Sequence, residues 1–201
     1  MLRLYYKRLF KQQGGEYLNP DIIRDWQKLA KDEAIEYAMD LYGEKLKRFI
    51  YTYTKSWTQT EDVLQEVFLS VYMNLDNFKG ESSFKTWIYR IAANKCKDHL
   101  RSWHYLHFQL TDKLFWFDRR ERSAEDELVE KAGQDRLMEN ILKLPVKYRE
   151  SILLYYVKEF SMPEIAGILD LHIETVKTRI RRGREKLKVF YSEEEGNEFS
   201  G

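Results

Sequence analysis

The chain has 201 residues, with 34 basic and 33 acidic side chains and a formal net charge of +1, so its bulk charge does not make it a general polyanion binder. Its hydrophobic fraction of 43% suffices for one or two ordinary cores, and its single cysteine excludes an internal disulfide. No apolar run approaches the roughly 18 residues of a membrane span, and the basic start of the chain is a poor secretory signal, so we expect a cytoplasmic protein.

Long 3.6-residue periodicity with only three prolines predicts an all-α fold of two small helical domains joined by a linker. The predicted parts are an N-terminal extension (1–30), a first helical domain (31–106), a linker (107–127), a second helical domain that contains a helix-turn-helix (128–190) and an acidic tail expected to be disordered (191–201). Breaks between helices are expected near 56–60, near 76–83 and at Leu144-Pro145.

The segment Asp62–Leu75 has two different faces. Its predicted core stripe consists of Val63, Leu64, Val67, Phe68, Val71, Tyr72 and Leu75. Its opposite face consists of Asp62, Gln65, Glu66, Leu69 and Met73. Apolar side chains in line with carboxylates indicate docking onto a basic partner protein, and an acidic surface with two stray apolar residues is the plainer interpretation.

The next segment, from Ser82 to Ser102, also has two faces. Its core stripe is Phe84, Trp87, Ile88, Ile91 and Ala92, which makes Trp87 a structural residue. In one continuous helix, Arg90, Asn94, Lys97 and Arg101 share a side, with Lys85, Tyr89 and Lys95 nearby. Basic residues beside an amide and an aromatic ring can hold phosphates and an unstacked base, and a solvated polar face is the alternative.

The segment Ser161–Lys188 has the pattern of a helix-turn-helix. Ser161 and Glu164 are spaced as a capping box for the first helix, and the turn follows at Asp170-Leu171-His172. The predicted core stripe of the second helix is Ile173, Val176, Ile180, Gly183 and Leu187. Residues 172–190 carry seven basic and two acidic side chains, as phosphate contacts require, and a solvated basic helix is the alternative.

Together these segments resemble the extracytoplasmic-function group of bacterial RNA polymerase sigma factors. In the first domain the matching residues are 61–68 (EDVLQEVF), 84–94 (FKTWIYRIAAN) and 98–101 (DHLR). In the second they are Leu144-Pro145, Tyr148-Arg149, 164–166 (EIA) and 175–180 (TVKTRI), with Arg182 and Arg184. The resemblance covers about 31–106 and 128–190 in family order and spacing.

The resemblance implies a sigma factor that binds core RNA polymerase, directs it to promoters and helps to open the −10 region. Core polymerase would bind Asp62, Gln65, Glu66, Leu69 and Met73. The −10 element would contact Lys85, Tyr89, Arg90, Asn94, Lys95, Lys97 and Arg101, with a base-reading loop after Asn94 in place of a continuous helix. The −35 element would contact His172, Glu174, Thr175, Lys177, Thr178, Arg179, Arg181 and Arg182.

The same resemblance implies promoter DNA, core polymerase and an anti-sigma factor, soluble or membrane-bound, as partners. It implies no catalytic residue, metal, cofactor or small-molecule substrate. Two positions depart from the family pattern, since Asp170 replaces a glycine and His172 replaces a serine cap at the start of the recognition helix. We expect His172 to alter promoter preference.

Two other interpretations use the same residues. The first is a DNA-binding regulator that is not a polymerase subunit, which would leave the Asp62–Leu75 outer face unexplained. The second is a metal protein, because Cys96, His99, His104 and His107 lie close together in sequence, but their spacing fits no structural zinc site.

Overall fold

The computed structural model describes residues 30–110 and 135–198, and every regular element in these two ranges is helical. In chain order they are α1 (Lys31–Thr54), α2 (Trp57–Asn74), a 3-10 turn (Leu75–Asn77), α3 (Phe84–Leu110), α4 (Asp135–Lys143), α5 (Val146–Ile152) with a π-helical continuation (Leu153–Val157), α6 (Met162–Leu169) and α7 (Ile173–Glu198). The all-α prediction is confirmed. The predicted extension up to residue 29 and the linker after residue 110 lie outside the described residues.

The helices α1, α2 and α3 pack together as an N-terminal module. A two-residue break at Lys55-Ser56 separates α1 from α2, with Lys55 in the left-handed region (φ 54°) and the Ser56 hydroxyl capping α2. A second break contains Gly80 (φ 72°), whose positive φ suits a residue without a Cβ atom. Both breaks fall where turn-forming residues predicted them.

The core of this module is rich in aromatic rings. Phe84 packs against Tyr42 and Phe78 at centroid distances of 5.9 and 5.6 Å, and Trp87 lies 5.0 Å from Phe78, which confirms Trp87 as a structural residue. Five members of the predicted α2 stripe are buried, namely Val63, Val67, Phe68, Val71 and Leu75. Leu64 is partly buried against the same core, whereas the Tyr72 ring is exposed, with the Lys31 ammonium 4.9 Å from its centroid.

The helices α4 to α7 form a C-terminal module. The helix α4 ends at Lys143, and Pro145 caps the start of α5, so the predicted break at Leu144-Pro145 is present. The α6–α7 turn places Asp170 in the left-handed region (φ 56°, ψ 59°), which confirms that this residue takes the role of the expected glycine. The Glu164 carboxylate accepts from the Ser161 amide at 2.8 Å, so the predicted start of α6 is also confirmed.

Three helical expectations are corrected. Ile173 was predicted to lie in the core but is 38% exposed, because it stands in the first turn of α7 before the helix meets α5. The helix α3 continues past Asn94 and past residue 106 to Leu110, since nothing between its ends is Pro or Gly. The helix α7 extends to Glu198 through the predicted disordered tail, whose glutamates are good helix formers.

None of the described helices is both long enough and apolar enough to cross a membrane.

Candidate DNA and polymerase interfaces

The outer face of α2 is solvent-exposed as its pattern predicted. Asp62, Gln65 and Glu66 are exposed, and Leu69 and Met73 expose 55% and 64% of their surface beside them. Carboxylates beside exposed apolar side chains are a composition that can serve protein docking, which stays a prediction for this face.

The docking face is connected to the predicted −10 group by one ion pair. The Lys95 ammonium lies 3.4 Å from the Glu66 carboxylate, and both side chains are partly solvated. Such a surface pair contributes little stability, so both groups can exchange it for a partner's charges.

The predicted −10 residues all lie on α3, but they differ in how far their side chains are exposed to solvent. Arg90, Asn94 and Arg101 are exposed, and Arg101 lies 3.5 Å from Asp98 one turn away. The lysines Lys85, Lys95 and Lys97 are half-buried. Tyr89 is only 1% exposed. The exposed members share one side of a continuous helix.

The burial of Tyr89 comes from both modules. Its ring packs edge-on against Phe49 of α1 at 5.3 Å and against Phe160 of the C-terminal module at 5.1 Å. Burial raises the pKa of the Tyr89 hydroxyl, so the ring stays neutral at physiological pH. Tyr89 therefore cannot stack on a base in this arrangement.

The half-buried lysines of α3 are engaged by backbone carbonyls of the C-terminal module. Lys85 donates to the carbonyl of Lys158 at 3.0 Å and lies 4.6 Å from the Phe160 ring centroid. Lys97 donates to the carbonyl of Leu169 at 2.9 Å, at the end of α6. The carbonyl end of a helix attracts a cation, so Lys97 is well placed there.

A buried pair at the start of α5 connects the modules further. Arg149 donates to the carbonyl of Leu144 in its own module and to the carbonyl of Thr52 in α1. Glu150 is 4% exposed, and its carboxylate accepts from the Tyr53 hydroxyl at 3.0 Å and from Arg179 at 2.7 Å. Burial raises the pKa of Glu150, which its cationic neighbours Lys97 and Arg179 partly offset.

The predicted −35 residues lie at the start of α7, and most of them are open to solvent. The exposed members are His172, Glu174, Thr175, Lys177, Arg181 and Arg182. His172 occupies the cap position, where its carbonyl accepts from the amides of Thr175 and Val176. The free amides of a helix N-terminus and its dipole favour phosphate, so this end of α7 suits a DNA backbone.

Arg179 differs from the other arginines of α7. Its guanidinium is held by the buried Glu150 carboxylate, whereas Arg181 pairs with the exposed Glu185 at 2.6 Å. Arg182 forms a side-chain hydrogen bond with Tyr148 that lowers the pKa of that phenol. Arg179 is thus oriented inward, toward α5, and Arg181 and Arg182 remain on the exposed side.

Sequence reasoning did not find the network of Tyr53, Arg149 and Glu150. The available signal was the charged pair Arg149-Glu150, four and five residues after Pro145, in a stretch that must pack as a helix. The partners of this pair lie in α1 and α7, which no local pattern reveals.

Of the four residues in the metal interpretation, the structure describes the side chains of Cys96 and His99. Cys96 is fully buried, which raises the pKa of its thiol, and His99 lies 3.4 Å from the Gln59 side-chain oxygen. Side chains of His104 and His107 lie outside the described residues. Among the side chains that are described, no three potential ligands converge.

Two parts of the chain match sigma factor families. Residues 39–104 match the family described as Sigma-70 region 2, and residues 134–187 match Sigma-70, region 4. The chain is 36% identical over 169 residues to the ECF RNA polymerase sigma factor SigW of Bacillus subtilis, covering 80% of this chain and 90% of that protein. It is 29% identical over 182 residues to the ECF RNA polymerase sigma-E factor of Haemophilus influenzae, covering 87% and 96%.

Two solved structures are similar. CnrH in complex with the cytosolic domain of CnrY gives a TM-score of 0.58 at 27% identity, covering 80% of this chain and 89% of CnrH. The sigma factor RpoE of Bartonella quintana in complex with the anti-sigma factor NepR gives a TM-score of 0.65 at 22% identity, covering 81% of this chain and 98% of RpoE. The second likeness supports the fold alone.

Proposed function

This chain belongs to the extracytoplasmic-function sigma factors of bacterial RNA polymerase, and we propose that its two modules divide promoter recognition between them. As a sigma factor it binds core polymerase and directs it to promoters. The observation that carries the assignment is that one chain contains both family regions and is 36% identical to an ECF sigma factor over 80% of its length.

The outer face of α2 is the proposed polymerase-docking surface. It combines the carboxylates of Asp62 and Glu66 with the exposed Leu69 and Met73, so it offers charge for orientation and apolar area for affinity. The surface ion pair between Glu66 and Lys95 can be exchanged for a pair with a partner's cation.

The exposed side of α3 is the proposed −10 surface, and the start of α7 is the proposed −35 surface. Arg90, Asn94 and Arg101 supply two cations and an amide on one exposed side of α3, where they can contact phosphates and a base. Arg181 and Arg182 lie on the exposed side of α7, the second helix of a helix-turn-helix, which in such motifs enters the major groove. Neither surface needs high affinity alone, because tethering on one polymerase raises the effective concentration.

Strand opening requires no chemistry from this chain. A protein that binds unpaired −10 DNA more tightly than the duplex shifts the opening equilibrium by that difference in affinity. We therefore infer a binding subunit that is not an enzyme and that acts in the cytoplasm, where polymerase and chromosome are found. We also infer an anti-sigma partner, soluble or membrane-bound, since the 27% identical CnrH is found in complex with the cytosolic domain of CnrY.

Transcription in vitro tests the proposal. Purified chain and core polymerase are incubated with fragmented genomic DNA, and transcript starts are mapped by sequencing. We expect starts that depend on the chain and share an upstream sequence. Sequence-specific DNA binding without core association would contradict the proposal and favour the helix-turn-helix regulator.

A further inference from the structure

The C-terminal module lies against the α3 surface that we assign to the −10 element. Contact is made through Phe160 on Tyr89, through Lys97 on the end of α6, and through Tyr53 on Glu150. Thr86 adds a bond to the Glu164 carboxylate at 3.1 Å. We call this set of contacts the seam.

We propose that the seam is an autoinhibitory contact, in which the C-terminal module of the free chain covers part of the −10 surface until the two modules separate. The inference rests on the proposed function, because it uses the assignment of α3 to the −10 element. It adds that the inhibitory element is part of the chain itself.

The C-terminal module directly contacts three of the proposed −10 residues. Tyr89 is buried beneath Phe160, and the ammonium groups of Lys85 and Lys97 are bonded to carbonyls of the other module. A base or phosphate would have to displace these bonds. A chain that is mostly closed therefore binds DNA more weakly than an open one, in proportion to the open fraction.

Closure also prevents contact with both promoter elements at once. Elements at −10 and −35 are centred about 25 base pairs apart, which is roughly 85 Å along B-DNA at 3.4 Å per base pair. A compact chain of this length has a radius of gyration of only about 17 Å, hence a diameter of about 45 Å. The modules must separate for the proposed function to be completed.

The recognition helix is linked to the seam through one carboxylate. One oxygen of Glu150 accepts from Arg179 of α7, and the other accepts from Tyr53 of α1. Opening leaves the Arg179 bond within the C-terminal module and exposes the second oxygen to water. The helix-turn-helix thus keeps its internal support while the seam breaks.

The seam also contains a repulsive element that allows it to open. Lys158 approaches Lys45 and Arg48 of α1 and Lys85 of α3, so cations face each other across the modules. Burial, and to a smaller extent these charges, lowers the pKa of Lys158 to about 8. An interface that buries apolar rings but opposes like charges is suited to reversible closure.

Spin-label distances test closure in the full-length chain. Asp40→Cys and Lys186→Cys place labels on exposed positions of α1 and α7, and the native Cys96 is too buried to react. We expect one short distance in the free chain and a longer one with core polymerase or with Phe160→Ala. A long, broad distribution in the free unsubstituted chain would overturn the inference.

DNA binding tests inhibition. The probe is a fluorescent single-stranded −10 sequence from a promoter mapped in the transcription experiment. If the free chain is about 90% closed, Phe160→Ala lowers its Kd up to about tenfold. Ile141→Ala is the matched control, since this buried residue packs with Ile152 and Leu187 away from the seam. An unchanged Kd for Phe160→Ala, or an equal gain for Ile141→Ala, would refute autoinhibition.

A second variant guards against misfolding of Phe160→Ala. Tyr53→Phe combined with Thr86→Val removes two hydroxyl groups of the seam with little change in volume. It should shift distance and Kd in the same directions. If transcription in vitro yields no starts that depend on the chain, the proposed function fails and autoinhibition with it. If transcription is normal but neither seam variant changes the label distance or the Kd, only the seam proposal is refuted.

Discussion

The Tyr53 hydroxyl donates to the Glu150 carboxylate at 3.0 Å, although the two residues are 97 positions apart in the chain. The same carboxylate accepts from Arg179, and burial together with the negative charge of Glu150 raises the pKa of Tyr53 well above its usual value. One buried acid therefore joins the N-terminal module, α5 and the recognition helix.

Removing this bond should cost a measurable part of the stability. Tyr53→Phe is expected to lower the free energy of unfolding by about 1 kcal/mol, the usual contribution of one hydrogen bond, and Glu150→Gln by about 1.5–3 kcal/mol because its partner Arg179 is charged. Urea titration measures both. Tyr155→Phe is the control, because no bond to its hydroxyl is found in the described part of the chain. Equal effects of the two tyrosine variants would contradict the assignment.

Alanine substitution of two arginines of α7 should affect two different properties, DNA discrimination and stability. Arg182→Ala should lose about 1–3 kcal/mol of discrimination between −35 sequences with little loss of stability, because its side chain is exposed. Arg179→Ala should instead destabilise the fold, because it leaves the buried Glu150 without its cation. Anisotropy titrations on substituted −35 duplexes and urea titrations separate the effects. Equal weakening by Arg182→Ala on every sequence would make it a phosphate contact.

Gly183 is required for the close packing of α7 on α5. A Cβ atom at this position would lie 2.7 Å from Cγ1 of the fully buried Ile152, so Gly183→Ala should destabilise the chain by about 1–3 kcal/mol despite better helix propensity. Gly167→Ala is the control, because no atom lies within 4 Å of its Cβ, and it should gain up to about 1 kcal/mol. Thermal unfolding compares the two. A neutral Gly183→Ala would mean that Ile152 can move aside.

Charge reversal on α2 should weaken polymerase binding without unfolding the protein. Asp62→Lys with Glu66→Lys alters two exposed acids one turn apart, and only the weak surface pair with Lys95 is lost. Glu36→Lys with Asp40→Lys repeats the change at the same spacing on α1. Co-purification with core polymerase provides the measurement. Undiminished recovery of the α2 variant would exclude this surface as the docking site.

Lys158 should make stability depend on pH. Its folded pKa of about 8 is below the ordinary lysine value of 10.5, so the folded chain binds fewer protons than the unfolded chain between these values and its stability rises with pH there. Lys158→Met removes the charge and should be more stable than the unsubstituted chain at pH 7. Urea titrations from pH 7 to 10 should show this advantage shrinking as pH rises. A constant difference would contradict the lowered pKa.

Much of each module follows from local sequence. The apolar spacing in Val63, Val67 and Val71 places α2 on its core, and Ser161 with Glu164 marks the start of α6, because capping and periodicity depend on residues within a turn or two. Tyr89 and Arg179 were expected to contact DNA because the family resemblance implied it. Their surroundings depend on Phe160 and Glu150, which are distant in sequence, so no periodic pattern could place them.

The sequence alone determined the helices, the helix-turn-helix and the family, because these depend on repeated local spacing and on blocks of residues in a fixed order. Only the tertiary structure decided which basic side chains are available to DNA. Packing of the C-terminal module on α3 buries Tyr89 and engages Lys97, and the buried Glu150 turns Arg179 inward. A side chain's exposure is a property of what packs against it, and here the packing partners are distant in sequence. For Tyr89 and Lys97 they come from the other module.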